Sequence, residues 1–354
     1  MRILHIALLT AGLASVGTAS TLIVRAESAR DVVADMHAER AGPDSSRVAA
    51  LLNTLDTVDP IYCELVSDQI GNYWGFGGSL RIGALSDASP AVRAAKDSLA
   101  ERVRDTGAIR LLSATLAHDD ACVRLVAAKM LGESGAPDDV ITARFDDPSA
   151  RVREAALRAA AAREREPMRA RIEALLDARE SAVVAMAAFA LGEIESRASV
   201  NPLTRLLTHA AADVRANAVW ALGSIEDPAS EAPIIRRIND DTDRGVRLAA
   251  ILALSRLDHP AEAPPVLVRL ARGDDAQLRE AALDVLLDIE DPTLTPLFIE
   301  LVSHHSEEIR MRAVLALGEL GSAEAVPVLT RALRDPSADV RRAAVEALAE
   351  IEDP

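Results

Sequence analysis

Between Asp335 and Ile351 the chain reads DPSADVRRAAVEALAEI, with apolar residues at Val340, Ala344, Ala347, Leu348 and Ile351. That spacing lays the side chains along one stripe of an amphipathic helix. Asp335 and Pro336 read as its start, a side-chain acceptor at the N-cap followed by a proline whose missing N–H costs nothing. The apolar–Arg pair that opens the stripe recurs upstream at Ile309-Arg310, Leu278-Arg279, Val246-Arg247, Val214-Arg215, Val152-Arg153, Val123-Arg124 and Val92-Arg93. Val183-Val184 holds the same place with valine for arginine, and successive marks lie 29 to 32 residues apart. The chain is a repeat protein.

A second periodic signal sets the unit. Pro202, Pro233, Pro265, Pro296 and Pro327 are spaced by 31 or 32 residues, each near the start of a short apolar segment such as VPVLTRALRD. A unit is therefore a first helix with proline in its opening turn, a polar turn, and a second helix opening with apolar–Arg. Gly132, Gly192, Gly223 and Gly318 fall nine residues after that opening and read as the left-handed residues that close second helices. Neither helix can bury its stripe alone, and stacking the hairpins buries all of them. The predicted fold is all-α, an α-solenoid of stacked helical hairpins.

The phrase D-x-x-x-x-VR-x-x-A-A-x-A-L-G-x-I resembles HEAT repeats, in particular the short bacterial kind of the phycobilisome-lyase type. The resemblance runs from about Asp87 to Pro354 and begins in degraded form near Ser45. It implies a HEAT-like superhelix in which the slot Asp and the repeat Arg form a ladder between neighbours. Function is not implied with the same force, because such repeats serve scaffolds, lyases, a metal hydroxylase and DNA glycosylases alike.

Charge narrows the classes. The net charge is −16, and removing the first 26 residues takes away Arg2 and Arg25 and no acid, for about −18. An acidic surface of that size repels phosphate backbones, so no nucleic-acid partner is expected. Only Lys96 and Lys129 among 39 basic residues are lysine, which reads as coding bias towards arginine. Arg2 precedes ILHIALLTAGLASVGTASTLIV, a run without charge until Arg25. A basic start, an apolar middle and a small-residue exit read as a secretory signal, with cleavage after Ala19 or Ala26; the alternative is an uncleaved N-terminal anchor. No cysteine lies near it for lipidation. The expected organisation is signal peptide or anchor over 1–26, linker over 27–43 and solenoid over 44–354. That places the protein in the periplasm or outside the cell, with no membrane span after cleavage.

Two features interrupt the repeats near the amino end. Cys63 and Cys122 are a disulfide candidate in an exported chain. Their register puts them two repeats apart, about 20 Å at 8–10 Å per layer, so a bridge requires displacement of the intervening hairpin; otherwise both are buried thiols. That hairpin is itself irregular: GNYWGFGGSLRIGA (Gly71–Ala84) brings Tyr73, Trp74 and Phe76 close to Tyr62. It reads either as a hydrophobic plug over the solenoid end or as a loop that binds a partner or ligand. Farther on, Ala160–Arg171 (AAAREREPMRAR) copies the repeat poorly and reads as a charged turn where the superhelix changes direction slightly.

Catalytic and metal chemistry is absent from the pattern. His118, His209 and His304 stand six residues before a repeat arginine, the slot that Asp87, Asp147, Asp241 and Asp335 fill elsewhere. Histidine there reads as a weaker ladder rung. The three lie about three repeats apart, roughly 30 Å, too far to share a metal. The chain has no His-Glu dipeptide of the kind that the HEAT-type hydroxylase carries in pairs. Paired carboxylates such as Asp240-Asp241 and Asp274-Asp275 read as helix starts. No phosphate loop, nucleophile elbow or Cys-His ligand pair is present, and the chain is read as non-enzymatic, without cofactor or metal.

Binding remains. If the stripe faces the core, the positions two and six residues after the opening point the opposite way, towards the concave surface. Three successive units place Phe189, Trp220 and Leu252 at the second of these, with Ala185, Ala216 and Leu248 at the first. Glu154/Arg158 and Glu280/Asp284 flank them, an apolar centre with a polar rim. VRANAVWALGSI (Val214–Ile225) also resembles an armadillo repeat, but the position where that family has asparagine, four after its Trp, is Ser224, so backbone clamping is not carried over. Partner-binding candidates are Phe189, Trp220, Leu252 and Leu248, with Tyr73, Trp74 and Phe76 of the insert. Trp220→Ala is expected to weaken binding while leaving the fold intact. Two functions stay open: an exported scaffold or adaptor gripping a protein or peptide in its groove, and a lyase-like or chaperone-like helper holding a small ligand at the aromatic insert.

Overall fold

The computed structural model describes residues 44–55, 103–257 and 262–352, and every regular element among them is helical. The signal or anchor over 1–26, the linker over 27–43, Tyr62, Cys63 and the insert with Tyr73, Trp74 and Phe76 lie outside the described residues. The fold is an all-α solenoid of stacked hairpins. It divides into two compact units between Arg163 and Glu164, inside the stretch where the repeat is poorest. The first unit holds α1 (Asp44–Leu55), α2 (Thr106–Thr115), α3 (Ala121–Glu133), α4 (Asp138–Thr142) and α5 (Ala150–Ala161). The second holds the first helices α6 (Arg169–Glu173), α8 (Val200–Leu206), α10 (Glu231–Asp240), α12 (Ala263–Ala271), α14 (Thr295–Leu301) and α16 (Val326–Ala332). Its second helices are α7 (Ser181–Ile194), α9 (Ala212–Ser224), α11 (Arg244–Leu254), α13 (Ala276–Leu286), α15 (Glu307–Glu319) and α17 (Ala338–Glu352).

The periodic prolines sit in the opening turns of α8, α10, α12, α14 and α16, where the helix needs no N–H from them. Short 3₁₀ turns lead into several of these helices, as at Pro228–Ser230 and Pro292–Leu294. The stripe residues Val214, Val246 and Val340 are wholly buried.

The repeat glycines do something other than close helices. Gly132, Gly192, Gly223 and Gly318 lie inside α3, α7, α9 and α15, and the left-handed backbone falls three residues later, at Glu195, Glu226 and Gly321. What requires glycine is the next second helix. A Cβ on Gly223 would stand 2.8 Å from Ala253 Cα, and one on Gly318 would stand 2.7 Å from Ala347 Cα. Gly132 meets the Ala159 carbonyl oxygen in the same way, and Gly192 meets Ala221. Each glycine thus faces the alanine at the seventh position of the following repeat. Where that glycine is replaced by Leu287, α13 and α15 barely touch. Arg312 fills the seam there, donating to the Asp284 carboxylate at 2.7 Å and to Asp288 at 2.9 Å.

The slot aspartates are not N-caps either. α17 starts at Ala338, and the Ser337 hydroxyl accepts the Asp339 N–H at 3.1 Å. Asp335 instead accepts the Ser337 N–H and takes a bidentate pair of bonds, both 2.9 Å, from Arg310 of the preceding repeat. Asp241 is held likewise by Arg215 at 2.8 Å through both oxygens, while Asp243 caps α11. Asp275 is a true cap, of α13. The ladder arginine has two arms: Nε and one terminal nitrogen reach forward, and the other bonds carbonyls of its own slot, as Arg215 does to His209 and Ala210. Arg247 departs from this, bonding the Ile238 carbonyl through Nε.

His118, His209 and His304 stand in for aspartate. Each accepts through Nδ1 the N–H two residues on, the bond that Asp147, Asp241 and Asp335 make through a carboxylate oxygen. That requires a neutral ring. Burial, then His305, Arg279 and Arg310, hold His304 below the ordinary histidine range. The stabilisation is complete above the unfolded-state pKa and is lost as the pH falls through the lowered one.

Cys122 is buried and disulfide-bonded. The alternative of two buried thiols therefore falls: it rested on a regular hairpin lying between the cysteines, and that segment lies outside the described residues.

Two stability outcomes follow from this packing. Gly223→Ala should destabilise by about 1–3 kcal/mol through overpacking, although alanine favours helix by about 1 kcal/mol. Glu226→Gly should stabilise by about 1 kcal/mol, because it relieves a left-handed glutamate at φ 54°. Denaturant melts separate the two roles, and a stabilised Gly223→Ala would refute the close approach. In the ladder, the Asp241 side chain is 1% exposed and that of Arg215 11%. Burial pushes the Asp241 carboxyl up, yet the Arg215 guanidinium, the Asp243 N–H and Arg237 outweigh it and leave the pKa below the usual range. The stabilisation is therefore present above about pH 4 and is lost as the pH falls through the lowered value. Asp241→Ala strands a buried guanidinium and should cost about 3 kcal/mol at pH 7, measured by the same melts.

Candidate partner-binding site

Repeat geometry puts Phe189, Trp220 and Leu252 at one position of α7, α9 and α11, but their surroundings differ. Phe189 is 6% exposed, Trp220 half-buried and Leu252 50% exposed. Phe189 is not an open anchor. Its ring stacks on Trp220, with centroids 4.3 Å apart and planes 11° from parallel. Gly192 adds to the fit, since a Cβ there would stand 2.6 Å from Trp220 Cζ3. Trp220 is consequently part of the packing between α7 and α9. Trp220→Ala would remove the stack and leave a cavity, so the expectation that it spares the fold does not hold. Leu248 is half-buried, and with Leu252 it forms the accessible part of the row.

Beside the indole the structure shows a group that the repeat pattern did not single out. Glu164, Gly192, Glu193, Ile194, Glu195, Trp220, Ser224 and Arg256 line a pocket of about 230 Å³. Glu164 and Glu195 have left-handed backbone, φ 51° and 54°. Arg256, just past the end of α11, places its guanidinium 5.3 Å over the Trp220 ring and donates to Ser224 Oγ at 2.9 Å. Burial pushes the Glu193 carboxyl up to about 7, Glu164 and Glu195 add to the rise, and Arg256 opposes it. Ser224 is where the armadillo asparagine would stand, and that was the one local signal for this pocket.

Of the predicted rim, Asp284 is engaged by Arg312 and Glu280 is exposed. Among the described residues no three His, Cys, Asp or Glu side chains lie close enough to hold a metal ion. None of the described helices is long and apolar enough to cross a membrane.

The sequence matches the family model for HEAT repeats three times, over residues 168–255, 206–286 and 263–349, which together span just over half of the chain. The chain belongs to the HEAT-repeat family. The matches carry the repeat and not the phycobilisome-lyase subtype. Among solved structures, one engineered protein shares 18% identity over 91% of this HEAT chain and 99% of its own, with a TM-score of 0.46. A second engineered protein shares 21% identity over 53% of this chain and 97% of its own, with a TM-score of 0.41. An Escherichia coli protein, YibA, shares 16% identity over 89% and 99%, with a TM-score of 0.42. No curated protein matches the sequence.

The Glu193 carboxyl has a thermodynamic signature. With its pKa raised on folding, its contribution to stability is complete below the unfolded value near 4.5 and is lost as the pH rises through about 7. The HEAT chain should therefore lose stability as the pH rises from about 4.5 to about 7, with the slope levelling off above that, and Glu193→Gln should flatten it. Thermal melts across the range test it; an unchanged slope in the variant would place the titration elsewhere.

Proposed function

We propose that this HEAT-repeat chain is an exported, non-enzymatic scaffold or adaptor that grips a protein or peptide segment on the second-helix face around Trp220, Leu248 and Leu252. HEAT repeats commonly mediate protein–protein interaction. One observation carries the choice of face. Leu252 is one of two exposed large hydrophobic residues among those described, and it sits in the same repeat position as the half-buried Trp220 of the unit before it. A leucine left in water beside an aromatic gives a partner apolar area to cover. Export is supported by the uncharged run after Arg2 and by the Cys122 disulfide, since such bonds persist in oxidising compartments. The acidic surface supports a protein partner over a nucleic acid.

Leu252→Asp is the variant to test, because it changes an exposed side chain and should alter stability by no more than about 0.5 kcal/mol. The wild-type chain and Leu252→Asp are immobilised and exposed to a cell-envelope fraction. Proteins retained by the wild type should bind the variant at least about tenfold more weakly. Equal retention on both, with equal melting curves, would sink the assignment of this face.

A further inference from the structure

The pocket beside Trp220 has a chemistry that an apolar groove alone would not need. Glu164, Glu193 and Glu195 line it against a single guanidinium, that of Arg256, in a chain of net charge −16. Arg256 is an exposed residue lying over the indole face and bonded to the Ser224 hydroxyl. The site therefore already holds a cation, one supplied by the chain itself from a position open to solvent.

We propose that this pocket anchors a basic side chain, arginine or lysine, of the bound partner segment, which takes the place of Arg256 over Trp220 while its apolar neighbours cover Leu248 and Leu252. The inference rests on the groove reading and supplies the chemistry of the partner. At about 230 Å³ the pocket is smaller than the usual small-molecule site and suits one long side chain. The partner's cation inherits the place over the indole that Arg256 vacates, so the gain lies in its bonds to carboxylates, which are stronger than the bond to the uncharged Ser224 hydroxyl that Arg256 gives up. A metal ion fits less well, since no three acidic, His or Cys side chains among the described residues converge closely enough. Charge supplies the driving force. Glu193 is held near neutrality by burial and by Glu164 and Glu195, with only Arg256 acting against them. Arg256 acts on Glu193 only through space, so a cation bonded directly to the carboxylates favours the ionised form more than the one it displaces, and Glu193 releases a proton on binding near pH 7.

Isothermal titration calorimetry on the full chain decides it, with two capped tripeptides as probes: Leu-Arg-Leu and Leu-citrulline-Leu, whose citrulline keeps the shape and removes the charge. The arginine peptide should bind at least about tenfold tighter, by a margin that grows from pH 6 to pH 8. Buffers of different ionisation enthalpy should reveal proton release at pH 7. Glu193→Gln should abolish that release and narrow the margin, and Arg256→Ala should tighten arginine-peptide binding by vacating the indole. Equal affinity for the two peptides, absence of proton release, or no saturable binding up to about 10 mM would overturn the proposal. The two readings fail separately. Equal peptide binding that Leu252→Asp abolishes keeps the groove and removes the cationic anchor. Arginine-selective binding that ignores Leu252→Asp keeps the anchor and removes the groove.

Discussion

The solenoid depends on how closely consecutive second helices approach, and at four of its seams that is set by a glycine–alanine pair. Gly223 against Ala253 and Gly318 against Ala347 leave no room for a Cβ. Close approach brings the flanking apolar side chains of both helices into van der Waals range, and dispersion falls off steeply with separation. The counter-example lies in the same unit. At Leu287 the two helices stand off, and Arg312 with Asp284 and Asp288 occupies the seam that apolar packing fills elsewhere. The α13–α15 seam is thus the least closely packed of the second unit's second-helix seams, with a charged network where apolar packing lies elsewhere.

The arginine ladder acts at the other end of the same helices. Arg215 and Arg310 tie the loop of their own repeat to a carboxylate in the next, so one side chain fixes both the turn and its neighbour. The slot residue works as an acceptor first and as a charge second, which is why histidine can replace aspartate there as long as it stays neutral. That substitution keeps the turn and gives up the ion pair. Acid acts on the rungs accordingly: the His304 bond is lost as the pH falls through its lowered pKa, and the Asp241 and Asp335 carboxylates likewise hold until their own lowered values are reached.

The candidate site grows out of this packing. Gly192 admits the neighbouring helix and also leaves the space into which the Trp220 ring reaches, so stacking on Phe189 and the pocket beside it have a common origin. Behind the indole is the α7–α9 seam, a rigid support, and in front are carboxylates from residues 193 and 195 at the end of α7. A site on helix ends within a tightly packed pair is well placed to hold a partner side chain without large rearrangement.

By itself the sequence determined the thirty-residue period, the helical hairpin, the proline in each first helix and the arginine in each second one. These are local, repeated signals, and the same backbone geometry answers them each time. It could not determine the role of the glycines or the slot aspartates, because both depend on atoms some 25 to 30 residues away: Ala253 for Gly223, Arg215 for Asp241. Nor could it separate Phe189 from Leu252. The two stand at one repeat position, yet one is 6% and the other 50% exposed. Burial is a property of the neighbouring layer, and only Phe189 has an indole lying across it. The Glu193 pocket was equally hidden, since its residues come from helix ends and turns at four separate points of the chain. Only the stacking of one hairpin on the next brings Glu164 and Glu195 close enough to help raise the Glu193 pKa beside the Trp220 ring.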